Sequence, residues 1–481
     1  MTDWKPVIGL EVHAQMATES KLFCACPTTF GGEANHQTCP VCMGMPGQLP
    51  VLNRKAVEFA IRLGKAVGAT VHTTSIFARK NYFYPDLPKG YQISQFEDPI
   101  CTGGGLWIHT EERGRQFIRL NRIHMEEDAG MSSHQSDGSS AVDLNRAGVP
   151  LCEIVSEADI RSSAEAIAYM KAMRSILRYT AVSDGNMDEG SFRCDANVSL
   201  RASEDDPFGT KVELKNINSF RFVGQAIEYE IERQAKALDE GETIDQETRR
   251  WDPKKGVSLF MRGKEDAHDY RYFPEPDLGP LVLDPEWIAE IESSLPELAD
   301  ERAQRLVQEL GIPLYDAEVL TAERALADYY ERAIAVSAGE AEDAKLISNW
   351  IMGDLLRMLK EAGLSIEQAP IPPEHIAELV GLIRLGEISG KIGKKVFEEL
   401  WVGDLGPAEV VDSKGWKQVS DTGAIEAEIV KILEANAGQV AAYRGGKNKL
   451  FGFFVGQVMK ATRGQANPGV VNELLKKLLD S

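Results

Sequence analysis

His124-Met-Glu-Glu-Asp-Ala-Gly130, followed downstream by Asp143-Leu-Asn-Arg-Ala-Gly-Val-Pro-Leu-Cys-Glu153, is the stretch on which the reading of the chain turns. It sets Glu126, Glu127, Asp128, Asp143 and Glu153 among apolar residues, not in a solvated charge run. From Leu151 the spacing predicts a short strand, with Leu151, Glu153 and Val155 on one face and Cys152 and Ile154 on the other. A carboxylate inside such a strand is costly to bury unless a cation or a hydrogen-bond donor meets it. The segment alone leaves two readings open: a surface hairpin whose acids face water, or one wall of a carboxylate site.

The neighbouring patterns tip the balance. Val7-Ile-Gly-Leu-Glu-Val-His-Ala-Gln-Met16 alternates, with Glu11, His13 and Gln15 on one face and Leu10, Val12 and Ala14 on the other. A Glu-x-His pair on one strand face can chelate a cation or serve as a hydrogen-bonded structural pair. Ser191–Arg201 alternates as well, with Arg193, Asp195, Asn197, Ser199 and Arg201 opposite Phe192, Cys194, Ala196, Val198 and Leu200. Lys211-Val-Glu-Leu-Lys215 repeats the pattern. A half-solvated antiparallel sheet would alternate in this way for structural reasons alone. The recurrence of Glu, His, Asp, Asn and Arg on the polar faces points instead to a concave, carboxylate-lined sheet able to hold divalent cations and a phosphorylated ligand.

Cys24-Ala-Cys26 and Cys39-Pro-Val-Cys42 form two tight thiol pairs joined by a Gly-containing loop, the spacing of a closed, structural zinc site. The other cysteines, Cys101, Cys152 and Cys194, are scattered, so the pattern is no disulfide framework and belongs to a reducing compartment. Lys80–Gln95 gathers aromatics, prolines and lysines into a turn-rich segment. It reads either as a loop anchored by core aromatics or as a pocket wall in which Lys80, Tyr82, Tyr84 and Lys89 hold a nucleotide. Helices are predicted over 53–67, starting at Asn53 and ending before Gly68, from the Ser162-Ser-Ala-Glu165 capping pattern to about Tyr179, over 222–239, and through nearly all of 297–402.

The net charge of −21 argues against a general polyanion binder, because neutralising phosphates requires Lys and Arg. One stretch departs from it: Arg444, Lys447, Lys449, Lys460 and Arg463 occur with no acid between Tyr443 and Arg463. It suits an RNA backbone, or a basic helix face paired with acids elsewhere. No apolar run is long enough to span a membrane, and no leader pattern precedes the first strand, so a cytoplasmic protein is expected. A phosphate-binding Gly-x4-Gly-Lys-Ser/Thr loop is absent, so any ATP would be held in another way.

A set of motifs then carries a resemblance. Ile8-Gly-Leu-Glu-Val-His13, Lys80-Asn-Tyr-Phe-Tyr-Pro85, Tyr91-Gln-Ile-Ser-Gln95, His124–Gly130 and Asp143-Leu-Asn-Arg146 are joined by Arg193–Ser199, Lys215–Phe220, Asp269–Asp277 and Gly464–Pro468. In that order, from residue 8 to 468, they resemble the B-subunit family of tRNA-dependent aspartyl/glutamyl amidotransferases. Met131 stands where that family commonly carries Lys.

The resemblance implies an ATP-dependent enzyme that phosphorylates the side-chain carboxylate of Glu-tRNA(Gln) or Asp-tRNA(Asn). Ammonia from a separate amidase (glutaminase) chain then displaces the phosphate, and a small third chain completes a heterotrimer. It implies Mg²⁺ ligands at Glu11, His13, Glu126 and Glu153, with Asp195, and also Glu127, completing a second cation site or a shell around the first. The expected architecture is α+β. Residues 1–292 form a cradle on a mostly antiparallel sheet with helices and a zinc knuckle at 24–42. Residues 293–407 form an all-α domain, and 408–481 a small, basic, tRNA-binding helical tail. The competing expectations are a non-catalytic tRNA-binding scaffold and a self-contained ligase or kinase for a small carboxylic acid. Intact carboxylates argue against the first, and the basic tail has no purpose in the second.

Overall fold

The computed structural model describes residues 2–134, 137–263, 270–337, 341–417, 422–462 and 466–480. The chain divides into two compact units, Met1–Ala299 and Asp300–Ser481.

The first unit is built on a ten-stranded sheet. Its order from one edge is Val257–Gly263, Glu247–Asp252, Val212–Ile217, Phe192–Arg201, Lys5–Gln15, Pro150–Ser156, Gly114–Glu127, Cys101–Thr102 and Thr70–Val71, and Gly105–Thr110 also pairs with Gly114–Glu127. Among the described residues every neighbouring pair in this sheet is antiparallel except Val212–Ile217 with Glu247–Asp252.

Side-chain alternation explains why the sheet is covered on one side. Leu10, Val12, Ala14, Ile123, Met125, Cys152, Ile154, Cys194, Ala196 and Val198 share a single core with Tyr169, Met170 and Met173 of the helix Ser163–Tyr179 and Val223 and Ile227 of the helix Phe220–Asp239. Each large side chain fully buried there contributes about 1.5–3 kcal/mol. Cys101, Cys152 and Cys194 are buried free thiols within this core.

The helix ends follow the capping chemistry. Asn53 accepts from Lys55 N ahead of Arg54–Ala66, Ser162 accepts from Glu165 N, and Ser219 accepts from Phe222 N, which starts the third helix at Phe220. The expected capping box at Ser162 is only half formed. The Glu165 carboxylate accepts from Arg161 N and from the Arg113 guanidinium, not from the cap residue.

The named elements of the second unit's described residues are all helices, from Ala299–Leu310 to Pro468–Asp480. A π-helical turn, Ile351–Leu355, interrupts the path between Ala341–Trp350 and Leu356–Ala362. Its apolar residues form two clusters, one drawn from Ala303 to Val411 and the other from Ile425 to Leu479. Among the described residues no helix is long and apolar enough to cross a membrane.

Candidate active site and metal centre

Strand register creates the site. His124 lies opposite Glu153, Glu153 opposite His13, and His13 opposite Arg193, so one cross-strand row carries polar groups over adjacent strands. The next row sets Glu11 opposite Asp195. Because side chains alternate, Glu126 projects on the same face as His124.

His13 Nε2 lies 3.4 Å from Glu153 Oε2 and 3.7 Å from Glu126 Oε1. His124 Nε2 lies 3.3 Å from Glu153 and 3.7 Å from Glu126. Two imidazoles thus bridge two buried carboxylates. Burial works against both charged imidazoles, but the carboxylates outweigh it: His13 is raised, and His124 is raised to about 9 by Glu153 and Glu126. Burial likewise opposes the ionised carboxylates, yet Glu153 is held well below the usual range by His124 and His13, and Glu126 is lowered by His124 and Lys80.

Ligand atoms of His13, Glu126 and Glu153 all lie within 4.8 Å of one another, as do those of Glu11, Asp195 and Glu213. Of the expected Mg²⁺ ligands, three therefore fall in one cluster, while Glu11 joins Asp195 and Glu213 in a second. Two carboxylates in a compact set suit a hard divalent cation at the first cluster. The second already holds a cation: Lys215 Nζ lies 2.6 Å from Asp195 Oδ2 and 3.0 Å from Glu213 Oε1. Burial, then Glu153 and Asp195, push the Glu11 carboxyl up despite Lys215, and Asn197 donates to its Oε1 at 3.0 Å.

Residues from both clusters line one cavity of about 360 Å³ with Lys80, Arg122, His124, Arg193, Arg262, Tyr270 and Tyr272. Its far wall is the Phe77–Asn81/Tyr91–Gln95 hairpin, extended by Phe273–Pro274. Ser94 Oγ donates to Glu126 at 3.2 Å, and the Lys80 ammonium lies 5.1 Å from the Tyr270 ring centre. Burial opposes the Lys80 charge, but Glu126, Tyr272 and Glu153 raise its pKa. Tyr82 packs edge-on to Tyr270 at 6.0 Å, and burial raises its phenol. The wall is fixed by Arg79, which donates to the buried Glu275 at 2.7 and 2.9 Å.

Other expected site residues are not brought to this cavity. Glu127 follows Glu126 in the strand and points elsewhere: it pairs with the Lys89 ammonium and accepts from Ile93 N at 2.9 Å. Lys89 and Glu127 line a separate cavity of about 210 Å³ beside the cysteine loop. Tyr84 is exposed on the turn of the hairpin. Asp128 accepts from Arg193 at 2.9 Å and Gln15 at 2.8 Å. Asp143 accepts from Asn35 N and Asn145 N, tying down the cysteine loop. His124, Glu213 and Lys215 belong to the site too, although sequence reasoning gives them no individual role. All three lie in alternating stretches, and strand periodicity, which places His124 beside Glu126, is the signal that finds it.

The thiols of Cys24, Cys26, Cys39 and Cys42 lie within 4.8 Å of one another. Cys39 N donates to Cys42 Sγ at 3.1 Å, and Lys21 Nζ approaches it at 3.6 Å. With a hydrogen bond from Cys24, these donors draw Cys42 down to about 4, while Cys24 is pushed up. A four-sulfur set of this compactness could hold a metal ion, and it fits tetrahedral zinc.

In the tail, Lys447, Lys449 and Lys460 are exposed. Arg444 donates to the carbonyls of Leu479 at 3.0 Å and Leu478 at 3.3 Å, so it caps the end of the last helix. Arg463 lies outside the described residues.

A family model described as the GatB/GatE catalytic domain matches residues 6–289, and one described as the GatB domain matches 328–479. Proteins named as the B subunit of aspartyl/glutamyl-tRNA(Asn/Gln) amidotransferase are similar over almost their whole length. Those of Geotalea uraniireducens and Alkalilimnicola ehrlichii are 57% and 56% identical, covering 99% of both chains and 100% of both chains respectively. That of Myxococcus xanthus is 55% identical over 100% of this chain and 99% of its own. An acid-lined cradle, a cysteine cluster and a helical second unit in a chain matched from end to end lead to one conclusion: the chain belongs to the GatB/GatE family, the B subunits of the tRNA-dependent amidotransferase ligase complexes.

Proposed function

We propose that the carboxylate-lined cavity is where ATP phosphorylates the side-chain carboxylate of Glu-tRNA(Gln) or Asp-tRNA(Asn), and where ammonia then converts the activated carboxyl to an amide. In the first step a carboxylate oxygen attacks the terminal phosphorus and ADP leaves. In the second, ammonia attacks the acyl carbon and phosphate leaves. The observation that carries this reading is the convergence of His13, Glu126 and Glu153 from separate strands at a cavity that also presents Glu11, Asp195 and Lys80.

His13, Glu126 and Glu153 would hold Mg²⁺, which when bound neutralises charge on the phosphoryl oxygens. Lys80 and Tyr82 flank the nucleotide side of the cavity, Lys215 offsets the charge of Asp195 beside Glu11, and Asn197 holds Glu11 by a hydrogen bond. Of these groups only Glu126 and Glu153 are buried outright and the others are half-buried, so the cavity limits the access of water to the activated carboxyl, which hydrolyses readily. Ammonia comes from the amidase (glutaminase) chain of the complex, a small third chain completes the heterotrimer, and Lys447, Lys449 and Lys460 meet the tRNA backbone. The division into a cradle to 292, a helical domain to 407 and a basic tail belongs to the same reading, as do a zinc-bound knuckle and a cytoplasmic location.

The test is phosphate release from [γ-³²P]ATP by the assembled complex, with each mischarged tRNA. Release should require the mischarged tRNA and fall by at least about a hundredfold in Glu126→Gln, since positioning and charge neutralisation are most of phosphoryl-transfer catalysis. Release with free glutamate alone would overturn the reading in favour of a small-molecule ligase.

A further inference from the structure

The cations lining the acidic cavity are not equivalent. Lys215 is committed to Asp195 and Glu213, Arg193 to Asp128, and Arg262 lies 4.0 Å from Glu213. Lys80 sits in the field of Glu126 and Glu153. Arg122 differs from the paired cations and shares with Lys80 the lack of an ion pair or hydrogen bond to the described residues. Its Nε is shielded from solvent without an acceptor. A shielded donor in this position is ordinarily met by an acceptor.

Arg122 is nevertheless well placed. Its backbone is fixed between Val155 on one neighbouring strand and Thr102 on the other. Its guanidinium lies 5.8 Å from the centre of the Phe96 ring, and Phe96 stacks on Tyr272 at 4.1 Å with 5° between the planes. Tyr272 in turn packs edge-on to Tyr270, the ring beneath Lys80. One run of packed rings therefore carries a cation at each end, and both cations line the cavity with Glu11, Glu153, Asp195 and Glu213.

Two anions must meet there if the proposed function holds, a phosphoryl group and a carboxylate. Lys80, a compact point charge beside the His13/Glu126/Glu153 cluster, suits phosphate. Arg122, a planar fork with open donors, suits a carboxylate held through two parallel bonds. We infer that Arg122 grips the side-chain carboxylate of the acidic aminoacyl group on the tRNA and orients it for activation. This inference rests on the proposed function and deepens it.

The experiment uses the full chain assembled with its partner subunits, comparing binding of Glu-tRNA(Gln) with uncharged tRNA(Gln) by filter retention. Wild type should prefer the charged tRNA. Arg122→Gln should abolish that preference, weakening the charged form by roughly ten- to a hundredfold, the worth of a charge-assisted pair. Its affinity for uncharged tRNA and its KM for ATP should stay as in wild type. Arg122→Lys, which keeps the charge but not the fork, should recover only part of the preference with an unchanged melting temperature, and it carries the test if the glutamine variant does not fold. An undiminished preference in Arg122→Gln, or a rise confined to the KM for ATP, overturns the assignment. A wild-type complex that cleaves ATP in response to Glu-tRNA(Gln) without preferring it in binding overturns the assignment alone. One that does neither overturns the proposed function with it.

Discussion

At the residue scale, the acids of the central motif have sharply different fates although they adjoin in sequence. Glu126 and Glu127 diverge because a strand sends successive side chains to opposite faces: the first meets His13 and His124, the second Lys89. Pattern alone sorts these faces, and it places Glu11, His13 and Glu153 on the correct ones. It does not show that Glu11 stands nearer Asp195 and Glu213 than Glu126, because that depends on register between strands far apart in sequence. Nor does it reveal the pairing of Arg79 with Glu275, which closes the cavity wall. Glu275 is only 2% exposed, and that guanidinium is its side-chain partner. Arg79→Met should therefore cost about 3–5 kcal/mol, the penalty for leaving one partner of a buried pair uncompensated. Arg79→Met combined with Glu275→Met should regain most of it. Chemical denaturation of the single and double variants decides the matter, and a single variant within about 1 kcal/mol of wild type would show that the pair is dispensable.

At the level of elements, the strands and the helix starts are readable because their signals are local: period-two alternation, and Asn53, Ser162 and Ser219 ahead of apolar periodicity. The loop between the cysteine pairs is not, since its conformation comes from partners distant in sequence. Asn35 adopts φ 63° and exchanges hydrogen bonds with the 143–145 turn, accepting from Leu144 N and donating through its own N–H to Asp143. Asn145 accepts from Gln37 N at 2.8 Å. The thiol cluster and this turn thus hold the loop from two sides, and the two restraints can be separated. Chelation should raise amide exchange across residues 24–48, and Cys39→Ser should lose the zinc signal in elemental analysis. Asp143→Ala should keep the zinc yet speed exchange near Asn35. Unchanged exchange after chelation would show that the thiols impose no constraint on the loop.

For the molecule as a whole, the difficulty is electrostatic: a chain of net charge −21 is proposed to hold a polyanion. Long-range attraction cannot supply the binding, since the mean field repels RNA and is screened within about 8–10 Å at physiological salt. Contact must come from a locally basic surface, and the tail sequence supplies one. Not all of its cations are available, however. Arg444 is engaged with the carbonyls at the end of the last helix, an arrangement that favours the helix terminus. Lys447, Lys449 and Lys460 are exposed, and among the described residues they form no ion pair, so they can release counterions from a phosphate backbone. Replacing these three lysines with Gln should weaken tRNA binding and flatten the dependence of log affinity on log salt by about 2–3, close to one unit for each lost phosphate contact. Melting temperature should not move, because none of the three packs into the core. Arg444→Gln should do the reverse, lowering the stability of the tail while leaving the salt slope nearly intact. A triple variant with the wild-type slope would place the tRNA on another surface, supplied by cations outside this stretch.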